Sequence, residues 1–127
     1  MTIQYRYAPD VERLAQAIIV NLRMGHVRLD RFACVRSKGS RTSRTVARIH
    51  SIPPIWKEAL GIEPCYVIEV ISERFDHLDR VEQEKTIIHE LLHIPRGFGG
   101  GFRHHKNYVT SSRVNDLHGL FKCGLRA

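Results

Sequence analysis

No apolar run in these 127 residues approaches the roughly 18 positions a membrane-spanning helix needs, which excludes a helical membrane protein. The opening MTIQYRYAPD lacks the apolar stretch of a signal peptide, so the expectation is a cytoplasmic protein rather than a secreted one. Cysteine is scarce. Cys34, Cys65 and Cys123 form no CxxC pair and leave an odd thiol over, which argues against a disulfide framework and for reduced thiols. With 43% hydrophobic and 26% charged residues, the chain is neither a disordered tail nor a collagen-like rod. Its length suits one domain over residues 1–127, with no room for a second core.

Charge is present in excess, and the excess has a location. The net charge is +7. Residues 23–50 carry Arg23, Arg28, Arg31, Arg36, Lys38, Arg41, Arg44 and Arg48 against Asp30 alone. Residues 54–92 reverse the sign, with nine carboxylates against Lys57, Arg74, Arg80 and Lys85. Such asymmetry is what a polyanion-facing surface, for instance one that meets nucleic acid, would require. A solvated loop and strand face would look the same.

Periodicity places the elements. Val11, Leu14, Ala15, Ile18 and Leu22 recur at helical spacing within residues 10–24, ahead of Gly25. Residues 31–36 (RFACVR) read as a strand, SKGS as a turn, and residues 44–50 (RTVARIH) as the returning partner. Pro53-Pro54, then IWKEAL and Gly61, predict a short helix with a glycine stop. The β-branched and aromatic run at 65–72 (CYVIEVIS) predicts a strand covered on both faces, and Cys34 and Cys65 are expected in the core. Asp79 with Glu82 three residues on makes a capping box opening a helix that should stop near Pro95. A last helix spans 112–123, with Gly124 as its stop. Strands early and principal helices late give an α+β layout.

Inside the penultimate helix lies His89-Glu90-Leu91-Leu92-His93. Residues four apart share a helix face, so both imidazoles can reach one ion. Glu90 sits about 100° round from His89, poorly placed to ligate but close enough to hydrogen-bond a water on that ion. Zinc suits the set, because imidazole is its common ligand and three protein ligands leave a position open for water. That water ionises near neutral pH, and a neighbouring carboxylate can take its proton. The flanking Ile87, Ile88, Leu91, Leu92 and Ile94 make a polar trio without partners costly, at about 1–3 kcal/mol per buried group.

The third ligand must come from elsewhere. No glutamate follows Glu90, which leaves His104, His105, Asp116, His118 and Cys123. Four glycines among residues 96–101 permit the chain to turn back and deliver His104 or His105. A metzincin would place its third histidine at Gly99, so the chain is not one. Helical-face spacing ahead of Val109 favours His105, with His104 as the rival.

The stretch CYVIEVISERF…HELLHIPRGFGGGFRHHKNYV, together with the RYAPD start and ARIHSIPPIWKEALG, resembles the small metallopeptidases of phages and archaea. Those look like a minimal zincin core, distantly similar to SprT-like HExxH proteases. The resemblance implies an N-terminal helix, a small mixed β-sheet, an HExxH active-site helix, a glycine-rich turn and a C-terminal helix. It also implies one zinc per chain on His89, His93 and His105, with Glu90 as general base and proton shuttle. The family pattern ends in Arg-Pro-His where this chain has Arg103-His104-His105, which keeps His104 a rival. A second electrophile for the oxyanion is expected at Tyr108, with Arg103 or His104 as substitutes. Asp76 or Asp116 could orient a ligand histidine.

The expected function is zinc-dependent hydrolysis of a protein or peptide. The rival is a nucleic-acid-associated binding protein with a structural or vestigial zinc, or a protease acting on DNA-bound proteins. A glutamate directly after His89 has no purpose in a purely structural site, and no aromatic interleaving marks a base-stacking surface.

Overall fold

The computed structural model describes residues 2–103 and 108–126, with side chains through Gly124. Strand β1 (Gln4–Tyr7) leads into helix α1 (Pro9–Asn21), which opens with a proline in its first turn and carries Asp10 and Glu12 where they favour the helix dipole. A 3-10 turn at Leu29–Arg31 precedes β2 (Phe32–Lys38). Next come β3 (Ala47–Ser51) and α2 (Pro54–Leu60), closed by Gly61 at φ +67° as the proline and glycine predict. Strand β4 (Tyr66–Ile71), the short α3 (Ser72–Phe75), α4 (Arg80–Leu92) and α5 (Ser111–Arg126) complete the α+β order. None of the described helices is long and apolar enough to cross a membrane.

The four strands form one mixed sheet in the order β1-β2-β4-β3. This corrects the expected hairpin. β3 does not return against β2; β4 lies between them, parallel to β2 (Cys34 opposite Ile68) and antiparallel to β3 (Ile49 opposite Ile68). The apolar β4 takes the centre because it alone can be buried on both faces, which pushes the shorter β3 to the edge. Tyr66, Ile68 and Val70 join Phe32 and Cys34 in a core that α1 closes with Val11, Leu14 and Ile18, and α4 with Ile87, Ile88 and Leu91. All three cysteines are free: Cys34 is buried, with its thiol pushed up to about 12 by burial, and Cys123 is exposed.

Asp79 caps α4, its side chain accepting the Glu82 N–H at 2.8 Å. α5 runs on through Gly124 to Arg126, correcting the expected stop. A Cβ at Gly124 would lie 2.8 Å from Oδ1 of Asn21 at the end of α1, so this glycine serves close packing rather than termination.

Two buried carboxylates tie the elements together. Glu84 accepts hydrogen bonds from His118 (2.9 Å) and Lys122 (3.0 Å), joining α4 to α5. Glu69 on β4 accepts from Arg48 (2.9 and 3.1 Å) and faces His50 at 2.8 Å, joining β4 to β3. Burial works against the charge on Glu69, but the hydrogen bonds from its neighbours, Arg48 foremost, outweigh it and hold the carboxyl down at about 2, against an ordinary 4.5. The contribution of this cluster to stability is therefore complete above pH 4.5 and is lost as pH falls from there toward 2, because the unfolded chain takes up the proton first. Melting temperatures measured across that window should fall, and Glu69→Gln should make the slope shallower. Identical slopes for the two proteins would remove Glu69 from the account.

Candidate metal centre

Why two imidazoles meet here follows from the end of α4. His89 lies in its last turn and His93 is its C-cap, still in right-handed helical geometry, so the four-residue spacing survives to the cap. Their Nε2 atoms are 3.4 Å apart, with the rings inclined by 70°. Two nitrogens sharing a tetrahedral ion at roughly 2.0–2.1 Å would stand about 3.3 Å apart, so the separation of the pair matches the spacing that such an ion needs.

The orientation of His93 is fixed from behind. Its Nδ1 lies 2.9 Å from the carbonyl oxygen of Arg103. A carbonyl only accepts, so Nδ1 carries a hydrogen, and Nε2, on the side of His89, is the nitrogen left to bind an ion. Arg103 returns the contact, its backbone N–H donating to the His93 carbonyl at 2.8 Å. The chain reaches this position through the glycine turn. Gly100 and Gly101 adopt φ of +97° and +79°. Tyr66, at the start of β4, accepts the Gly100 N–H (3.1 Å) and donates to the Gly101 carbonyl (3.0 Å). Its ring also packs edge-on against Phe98 and Phe102. The turn back that the four glycines predict is thus present and anchored to the sheet.

Glu90 is buried at 7% exposure, with one carboxylate oxygen 3.9 Å from Nε2 of His89. That gap is too long for a hydrogen bond. Burial pushes its carboxyl up to about 8, so a cation or a proton must offset its charge. His89, Glu90 and His93 open into a cleft of about 740 Å³, whose opposite wall is β3 through Ala47, Arg48 and Ile49. The sequence gives no hint that β3 lines the cleft, because its role depends on β4 having displaced it to the sheet edge.

The remaining candidates divide clearly. His104 and His105 lie outside the described residues, and Arg103 is the last described residue before them. Among the described residues no group of three or more His, Cys, Asp or Glu is placed to hold a metal ion. His118 is engaged by Glu84. Asp116 and Cys123 are exposed positions of α5. Tyr108 is 44% exposed, and its ring lies beneath the Arg103 guanidinium, 4.6 Å from ring centre to Cζ. Asp76 pairs with Arg36 at 3.0 Å rather than with a histidine of the pair. The orienting acceptor is instead the Arg103 carbonyl, a backbone group that no residue type announces.

The basic segment is partly neutralised within the fold. Arg28 pairs with Asp30, Arg36 with Asp10 and Asp76, and Arg48 with Glu69.

Comparison with known proteins gives one match. A family model described as "Putative phage metallopeptidase" covers residues 3–124. No curated protein matches the chain, and no solved structure does.

Proposed function

The chain belongs to the phage metallopeptidase family, and from that premise we propose that it is a zinc-dependent endopeptidase of one domain, residues 1–127, acting on cytoplasmic polypeptide. The metal would be held by His89 and His93, with His105 as third ligand and His104 as its rival. The observation that carries this is the 3.4 Å approach of the two Nε2 atoms, one of them aimed by the Arg103 carbonyl. When bound between these imidazoles, zinc would supply Lewis acidity for the scissile carbonyl and for the attacking water.

The chain's own groups do the rest. Glu90, buried beside the pair, takes a proton from the attacking water and returns it to the leaving nitrogen. Its burial makes the carboxylate an avid proton acceptor. The oxyanion is met by the Arg103–Tyr108 pair, in which Arg103 lines the cleft and Tyr108 stacks under it. β3 is an edge strand of the sheet and a wall of the cleft, so an extended substrate can pair with its backbone while its scissile bond faces Glu90.

Protein reconstituted with zinc should cleave an unfolded polypeptide such as reduced casein, stop on chelation and resume when zinc is restored. Elemental analysis should give one zinc per chain. Cleavage indifferent to chelators, or a chain that takes up no zinc, would defeat the reading. The nucleic-acid reading of residues 23–50, alone or as a protease acting on DNA-bound proteins, has less support because Arg28, Arg36 and Arg48 are already matched to carboxylates.

A further inference from the structure

Four arginines far apart in sequence converge on one cleft of about 520 Å³: Arg23 just after α1, Arg96 and Arg103 around the glycine turn, and Arg113 in the first turn of α5. Among the described residues none of the four has a carboxylate within 4.0 Å. The contrast with Arg28, Arg36 and Arg48, each matched to an acid, is sharp. Like charges gathered without counter-charges repel, so an anion entering the cleft is favoured. Their field is already felt locally: His26, at the same cleft, is pushed down by burial and then by the charges of Arg103 and Arg96. Arg23 reaches the rim from a left-handed backbone at φ +53°, a conformation that a non-glycine residue adopts at some cost. The floor is aliphatic, formed by buried Met24 and Leu92.

We infer that this cleft is a binding site for an acidic, partly aliphatic segment of the polypeptide substrate, its carboxylates paired with the guanidinium groups of Arg23, Arg96 and Arg113, with Arg103 at the junction with the metal cleft. The choice of a polypeptide rests on the peptidase reading, and three observations favour it over nucleic acid. Arg103 lines both this cleft and the one holding His89, Glu90 and His93, so the two adjoin at that residue. The floor offers aliphatic side chains rather than the aromatic platforms on which bases stack. Arg28, Arg36 and Arg48 of the basic segment are each paired with a carboxylate, which leaves less free charge outside this cleft to attract a phosphate backbone.

The test is direct binding to the full-length Glu90→Gln protein, read by fluorescence anisotropy, so that no turnover is required. The probes are a labelled peptide of alternating glutamate and leucine, its glutamine-for-glutamate counterpart, and a duplex oligonucleotide. At about 0.1 M salt the acidic peptide should bind about tenfold or more tighter than its neutral counterpart. The triple variant Arg23→Glu, Arg96→Glu and Arg113→Glu, which turns the net charge of the four positions negative, should erase that preference and instead bind a lysine–leucine peptide, a gain that a misfolded protein could not produce. Equal binding of the acidic and neutral peptides, or an undiminished preference in the variant, would overturn the site. An oligonucleotide that binds more tightly than the acidic peptide and loses affinity in the same variant would reassign it to nucleic acid. Failure of wild-type protein to cleave any peptide would count against the peptidase reading alone, since the binding arms do not depend on it.

Discussion

Glu90→Gln is expected to reduce peptide hydrolysis by about 10²–10⁴-fold, the usual contribution of a positioned general base. Zinc content should stay at one per chain. The two expectations separate the roles available to this residue. A carboxylate that ligates the metal would take the metal with it when replaced; one that only moves protons would not. Its oxygen stands 3.9 Å from Nε2 of His89 and its neighbours in sequence are apolar, which places it beside the imidazole pair rather than opposite it. Glutamine keeps the volume and hydrogen-bonding shape of the side chain at a site that is 7% exposed, so the fold should survive. Paired measurements of turnover and of metal by elemental analysis decide the matter. Parallel loss of both would make Glu90 a ligand, and an undiminished rate would remove it from the chemistry.

What was legible in the sequence is what local chemistry controls. Apolar spacing places α1, proline and glycine bracket α2, Asp79 caps α4, and the helical i, i+4 rule brings His89 and His93 together. Each of these depends on residues within a turn or two of one another. Strand pairing is different. The alternation in RTVARIH marks a strand but does not name its partner, and β4, nearly twenty residues downstream, took the place beside β2. Gly124 shows a second kind of ambiguity, since a glycine near a helix end reads alike whether it stops the helix or lets Asn21 approach. The Arg103 carbonyl that aims His93, the β3 wall of the cleft and the four-arginine cluster all arise from contacts distant in sequence. Short β1 and α3, of four residues each, carry too few side chains to show a period.

His105→Ala is expected to weaken zinc binding more than His104→Ala does, and the size of the gap carries the argument. Loss of an outer partner that only orients a ligand costs roughly 10–100-fold in metal affinity, so removal of a ligand itself should exceed that. Arg103, the last described residue before the two histidines, exchanges backbone and ring hydrogen bonds with His93. His104 and His105 are neighbours in sequence, so position along the chain does not choose between them. Competition titrations against a chromophoric chelator do. The larger loss in His105→Ala would make His105 the third ligand. The larger loss in His104→Ala would move the ligand to its neighbour, and equal small losses in both would leave the metal on two imidazoles and end the three-histidine proposal.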